Sequence, residues 1–379
     1  MLFVINALGI GGAESMLFRL LSHLDRTRFD VRVVSLRDVL DPFGDRIRAL
    51  GIPVCTLGMR RGRPNPGALL RLAKWIRKDP PDVVHTWQYH ADLLGGLAVR
   101  LAGRIPVAWG IHNSDLSATG SKRLTLLTAK TCARLSRWLP TQIVCCSEVS
   151  RDIHVALGYQ AEKMLVIPNG ADVSIYHPDP SARKAVRHEL QIPDNAPLIG
   201  MMARFDPQKD HHNFMQAAKL LHLGYPDAHF LLCGTDVNRD NPKLMAWVHE
   251  AGIQDRCHLL GVRHDIDKIT ASLDIATLSS AFGEAFPMTV VESMSTGVPC
   301  VVTNVGDSAK IVGETGHVVP PRNPAALASA WKEMIELGEA ERMKLGMAAR
   351  RRTEEHFNLP TIAHRYEALF ENLVLSSSN

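Results

Sequence analysis

Short β-branched or apolar runs recur along the chain, and longer stretches with apolar residues at helical spacing separate them. A first set of runs covers residues 2–6, 31–36, 54–57, 83–86, 107–109, 143–146 and 164–167. A second covers 198–203, 229–233, 257–260, 275–278, 299–302 and 317–319. Amphipathic segments such as 13–24, 66–77, 92–101 and 326–335 lie between them, and a final helix is expected over 359–373. Strands parted by helices call for parallel sheets with helical crossovers, because a tight turn cannot join a parallel pair. Two such sets predict an α/β protein of two doubly wound, Rossmann-like domains. The join is expected in Pro168-Asn-Gly-Ala-Asp-Val-Ser-Ile-Tyr-His-Pro-Asp-Pro180, where turn formers are densest. In such sheets ligands collect at the carboxyl ends of the strands, so a cleft between the domains is the expected site.

At 379 residues, 46% of them hydrophobic and 22% charged, the chain is too long for one ordinary core. No segment is of low complexity. No positive charge precedes the apolar run at the N-terminus, and no uninterrupted apolar window is long enough to span a bilayer. A cytoplasmic protein is therefore expected. Its seven cysteines, at 55, 132, 145, 146, 233, 257 and 300, include no CxxC pair, which suits free buried thiols better than disulfides or zinc.

Charge is uneven. Residues 1–180 carry 23 Lys and Arg against 15 Asp and Glu, and residues 60–140 alone carry 14 against 4. A basic first half suits an anionic partner, either a phosphorylated substrate or an acidic membrane surface, unless it is only a solvated face.

Three motifs sit where strands should end. Gly9-Ile-Gly11-Gly12-Ala-Glu14 follows the first run, but Glu14 replaces the third glycine of the dinucleotide fingerprint. What remains is either a tight turn or a loop whose N–H groups approach an oxyanion at a helix start. Ala203-Arg204-Phe-Asp-Pro-Gln-Lys209-Asp210 places two cations where one diphosphate could receive both. The most informative stretch is Phe282-Gly283-Glu284-Ala-Phe286-Pro287-Met-Thr289-Val-Val-Glu292, closed by Gly297-Val-Pro299. Pro287 suits the first position of a helix running from about 287 to 296, whose N-terminus could take phosphate oxygens. Glu284 and Glu292 could then grip hydroxyls on two parts of an extended ligand. A nucleotide sugar has that shape.

With Ile167-Pro-Asn-Gly-Ala-Asp172, these motifs occur in one order over nearly the whole chain, and the sequence resembles the family 4 retaining glycosyltransferases. The resemblance implies the GT-B fold: an acceptor domain over 1–170, a donor domain over 171–357, and a last helix, 358–379, returning to the first domain. It gives the donor diphosphate to Arg204 and Lys209, the nucleotide ribose to Glu292 and a donor-sugar hydroxyl to Glu284. The backbone from Ala285 through Phe286 and Pro287 to Met288 would follow the sugar and phosphates, with Gly11 and Gly12 near the diphosphate. A catalytic histidine of the first domain falls at His112, with Asn113 as the alternative position.

The stretch from His85 to Gly96, with Trp109-Gly-Ile-His112-Asn-Ser-Asp115, is similar to bacterial enzymes that build O-antigen, capsular or exopolysaccharide units. Glu14, His85, His90 and Asn113 are acceptor-side candidates, although a histidine satisfied by backbone is an equal reading of His85 and His90. His211 and His212 read as surface residues at a helix start. Asp265-Ile-Asp267 resembles a metal-binding D-x-D, but reads better as a helix cap near the nucleobase pocket.

The resemblance implies a retaining transfer from a nucleotide-diphosphate sugar to a glycan or polyprenyl-diphosphate-linked acceptor, with no metal or other cofactor. A nucleic-acid partner is not expected. Peripheral docking on the anionic inner face of a membrane is, because the basic excess falls in the acceptor domain. The rivals are a sugar-nucleotide 2-epimerase of similar architecture and a non-catalytic nucleotide-sugar-binding protein.

Overall fold

The computed structural model describes residues 1–63, 65–114, 116 and 123–377. The chain divides into two units, Met1–Asn169 with Leu359–Asn379, and Gly170–Asn358. Strands of the first unit are β1 (Leu2–Ile5), β2 (Arg32–Ser35), β3 (Val54–Thr56), β4 (Val84–Trp87), β5 (Val107–Ile111), β6 (Gln142–Cys145) and β7 (Met164–Val166). They lie in the order β3-β2-β1-β4-β5-β6-β7, and every pair is parallel. β1 and β4 are buried on both faces, as befits a sheet covered on both sides.

The chain travels outward from β1 to β3 and then returns to start again at β4. Right-handed crossovers running in opposite directions place their helices on opposite faces of the sheet. Helices Gly12–His23 and Phe43–Ala49 accordingly share one apolar layer, which the last helix, Leu359–Ser377, completes. Its Ile362, Tyr366, Phe370 and Leu373 recur at helical spacing on the buried side, and the Phe370 ring meets Phe3 of β1 edge-on at 6.0 Å. Helices Pro66–Lys78, Tyr89–Ala102 and Arg123–Leu135 form the layer on the other face. The first of these starts where the Asn65 side chain accepts from the Ala68 N–H and Pro66 presets the first turn.

The second unit contains β8 (Leu198–Met202), β9 (His229–Cys233), β10 (Cys257–Leu259), β11 (Ile275–Leu278), β12 (Cys300–Thr303) and β13 (Gly316–Val319). Their order, β10-β9-β8-β11-β12-β13, is again all parallel and reverses at β8. Trp331 fills its core against Phe214 at 4.9 Å and donates its indole N–H to Thr277 Oγ1 at 3.0 Å, so the largest buried ring keeps no orphan donor.

Observed strand ends fall within two residues of those expected from the pattern. Helix Gly338–His356 was not expected, because among its residues only the small Gly346, Ala349 and Thr353 are buried and no apolar stripe announces it. All cysteines are free and six are buried; Cys55 departs from the expectation by being exposed.

Candidate functional site

Both reversals of strand order put loops at the carboxyl ends of the central strands, and the motif residues of each unit collect there. In the first unit, Gly11 caps helix Gly12–His23 in an extended conformation and offers no side chain to the first-turn N–H groups. Glu14 fills that role. Its carboxylate folds back closely over Gly11, where an added Cβ would lie 2.1 Å from Oε2 and the flexible Glu14 side chain would have to shift. Burial raises the pKa of Glu14 against the opposing pull of its own N–H and the Gln88 amide, whose Nε2 donates to Oε1 at 3.3 Å. This helix start, expected near the diphosphate, therefore already holds a carboxyl group of its own.

Gln88 links Glu14 to the end of β4, and its φ of 78°, rare outside glycine, turns the chain into helix Tyr89–Ala102. The preceding Trp87 donates Nε1–H to the Ala13 carbonyl at 2.9 Å. On its other side the Trp87 ring stacks on His112, 4.0 Å away and tilted by 22°. His112 follows β5 and is half-buried, yet both its ring nitrogens are shielded from water without a partner among the described residues. Burial, aided by the neighbouring His85, lowers its pKa to about 3, so the ring is neutral at physiological pH.

The structure thus groups Gly11, Gly12, Glu14 and His112, with His85 behind His112 in the interior. That ring is fully buried, donates Nδ1–H to the Ala108 carbonyl at 3.0 Å, and sits among Phe3, Trp87 and Phe370. It lines the core, which corrects its candidacy for the acceptor side. His90 is half-buried in the first turn of its helix. Asn113 is tied to the interior, its carbonyl accepting from Ser150 Oγ at 2.8 Å and its side chain bonded to Tyr89. Asp115 lies outside the described residues.

Asp92 escaped the sequence reading. Its buried carboxylate accepts from Thr86 Oγ1 at 2.6 Å and from the Gly110 N–H at 3.4 Å, fastening helix Tyr89–Ala102 to β4 and β5 beneath His112. Burial outweighs those two bonds and raises its pKa to about 7.

In the second unit the loop after β8 carries Arg204 and Lys209. Asp206 caps a short 3₁₀ turn, Pro207–Lys209, by accepting from the Gln208 N–H, and Asp210 ends the turn with φ 49°. Arg204 is 57% exposed and leans on Asp206 at 3.2 Å and Gln208 at 3.3 Å. Lys209 turns inward, and its Nζ meets Glu284 Oε1 at 2.5 Å. Ser280 Oγ donates to the same oxygen at 2.6 Å.

The Glu284 loop is clamped from both sides. The Ala281 N–H donates to the Gln208 carbonyl at 2.8 Å, and the Asp307 N–H donates to the Ala285 carbonyl at 3.2 Å. Gly306, at φ 61°, permits the second contact, since a Cβ would stand 2.2 Å from the Glu284 carbonyl oxygen.

The helix after this loop is Met288–Ser295, one residue later than expected, and Pro287 is its cap rather than its first turn. At ψ 104° Pro287 is extended, because the chain must still leave the loop where the Phe286 ring packs on Phe357 at 5.5 Å. The cap supplies no side-chain hydrogen bond and the first turn has no acidic residue. Unlike the helix at Gly12, this N-terminus leaves its positive end unneutralised and able to receive an anion. Glu292 lies buried further along the same helix.

Two other expectations change. His211 is buried against Phe205 at 5.1 Å, and only His212 is exposed, because Asp210 directs the first residue of the helix inward. Asp265 occupies a cap position on Ile266–Ala271 but makes no capping bond; its carboxylate pairs with Arg263 at 2.9 and 2.8 Å. No group of three or more metal-ligating side chains gathers among the described residues.

Residues 10–175 match the model of Glycosyltransferase Family 4, and residues 182–352 that of Glycosyl transferases group 1. The UDP-Gal:alpha-D-GlcNAc-diphosphoundecaprenol alpha-1,3-galactosyltransferase of Escherichia coli is 27% identical over 318 residues, 80% of this chain and 79% of that protein. The putative glycosyltransferase EpsF of Bacillus subtilis (strain 168) is 26% identical over 80% of this chain and 78% of its own. Among solved structures, HepE of Anabaena in complex with UDP superposes with a TM-score of 0.85 at 23% identity, covering 98% of this chain and 99% of that one. The likeness shows the fold to be GT-B.

Proposed function

The chain belongs to glycosyltransferase family 4, with a group 1 glycosyl transferase domain in its second half, and from that premise we propose a retaining, metal-independent transfer from a uridine diphosphate sugar to a polyprenyl-diphosphate-linked glycan of a surface polysaccharide. The observation that carries the chemistry is the convergence of Arg204, Lys209 and an unneutralised helix N-terminus at the ends of β8 and β11. Uridine and the lipid-linked acceptor are supported by the E. coli relative, named for both, and by the HepE complexes with UDP and UDP-glucose.

Cleaving the anomeric C–O bond leaves negative charge on the diphosphate. Fixed positive groups aimed at that charge supply the kind of stabilisation that otherwise falls to a divalent cation. Arg204 is held only by exposed contacts, worth at most about 1 kcal/mol, and reaches the diphosphate at little cost. Glu284 spends Oε1 on Lys209 and Ser280, and offers Oε2 to a sugar hydroxyl. Glu292 takes the ribose. His112, neutral and without a hydrogen-bond partner among the described residues, hydrogen-bonds the reacting sugar. The departing phosphate oxygen accepts the proton of the acceptor hydroxyl as the new glycosidic bond forms on the same face.

The test is a panel of nucleotides and nucleotide sugars added to the purified protein. UDP and one UDP-sugar should raise the melting temperature, and slow release of UDP and free sugar from that donor should mark an enzyme. Stabilisation by a purine nucleotide alone would overturn the choice of base. Donor binding without hydrolysis or transfer would make the protein a binder, and conversion to an epimeric nucleotide sugar without acceptor would make it an epimerase.

A further inference from the structure

We propose that the outward face of the layer formed by helices Pro66–Lys78, Tyr89–Ala102 and Arg123–Leu135 docks on an anionic lipid bilayer. The three helices carry eight cations and one carboxylate, Asp92, which is buried beneath them. Among the described residues none of those cations is in an ion pair. The opposite face of the same sheet differs, for there Arg28 pairs with Glu371 and Arg48 with Asp45. The helices there carry Glu14, Asp45, Glu367 and Glu371 against Arg19, Arg46, Arg48 and Arg365, so the excess of one sign is confined to one side.

Apolar side chains stand among these cations. On the first helix Leu70, 64% exposed, is followed at helical spacing by Lys74, Arg77 and Lys78. With Leu101 they line an open groove of about 470 Å³, and Arg77 closes it by donating to the Leu101 carbonyl at 2.6 Å. Along the third helix Leu127, Lys130 and Arg134 continue one exposed stripe to Trp138, which is 66% exposed just beyond the helix end. A single exposed leucine needs no explanation, but leucines and tryptophan recurring between unpaired cations do.

A bilayer fits both. Arg and Lys keep their charged heads at the phosphate level while their stems lie along apolar surface, and Leu and Trp enter the boundary beneath. Nucleic acid would match the cations and leave the leucines in water. The inference goes beyond the glycosyltransferase reading, because vesicle binding requires neither donor nor acceptor.

Sedimentation of the full-length protein with vesicles tests it. Phosphatidylcholine vesicles containing phosphatidylglycerol should retain the protein, phosphatidylcholine alone should not, and raising salt from about 0.1 to 1 M, which shortens the screening length from about 10 to 3 Å, should release it. Reversing Lys74→Glu with Lys78→Glu should weaken binding at least tenfold, whereas Arg26→Glu with Lys219→Glu, the same charge change elsewhere, should leave it within about twofold. Leu70→Ser with Leu127→Ser should weaken binding several-fold and leave the melting temperature nearly unchanged. Equal binding to neutral vesicles, equal loss in both charge-reversal variants, or no effect of the leucine changes would overturn the proposal; in the last case an acidic macromolecule becomes the partner. Donor hydrolysis without vesicles should be the same in every variant, so a failure here leaves the glycosyltransferase reading standing.

Discussion

Lys209 and Glu284 bring opposite charges to a place where their side chains are only 15% and 8% exposed. Removing one partner leaves the other charge uncompensated, so a Lys209 variant confounds catalysis with stability. Arg204, exposed and loosely held, is the cleaner probe. Arg204→Ala should lower kcat/KM on the order of 10²–10³-fold with the melting temperature nearly unchanged, in the manner of a lost partner to a developing oxyanion. Steady-state kinetics beside a thermal melt would show it. Glu292→Gln should act chiefly on binding, weakening UDP by about 10–100-fold in a titration, as expected for a hydrogen bond to a charged group. The motif residues were legible because this chemistry needs cations, carboxylates and a helix start in a fixed order. The histidines were not, since His85 is placed by a core that Phe370, 285 positions away, helps to close.

At the scale of elements, two fastenings set the loops. Gly306→Ala should push back the Glu284 carbonyl and strain a left-handed turn, costing about 1–3 kcal/mol in a denaturant melt and most of the activity. Asp92 makes a pH-dependent fastening. Burial holds its folded pKa at about 7, above the ordinary aspartate value of 3.8, so the fold favours the protonated acid. That stability is complete below the lower value and is lost as pH rises through the higher one. Asp92→Asn keeps the acceptor for Thr86 and carries no charge. It should therefore be more stable than the parent at pH 8, by on the order of 1–3 kcal/mol, and flatten the stability profile between pH 4 and 7. An unchanged profile would remove Asp92 from that role. Strands were readable because continuous apolar runs mark buried parallel sheets, and helices with a stripe were too. Helix Gly338–His356 was hidden because it packs through Gly346, Ala349 and Thr353, and the one-residue delay at Pro287 depends on how the Phe286 ring seats against Phe357.

For the whole molecule, two sheets that each reverse at their first strand present loops at the carboxyl ends of central strands, and the charges found there suit a departing diphosphate. A ligand binding only the folded chain stabilises it by about 2.7 kcal/mol at 100 times its Kd, so UDP should raise the melting temperature in a concentration-dependent way. That shift should persist in Asp92→Asn and shrink in Glu292→Gln at equal nucleotide concentration. The central claim is that fixed protein charges take the leaving diphosphate and that the new bond forms on the face it vacates. Transfer from an α-linked UDP-sugar to a lipid-diphosphate-linked glycan, run in excess EDTA and read by NMR of the product, tests both halves at once. An α-linked product formed at the metal-replete rate is the expected result; a β-linked product, or activity that returns only with added divalent metal, would contradict it.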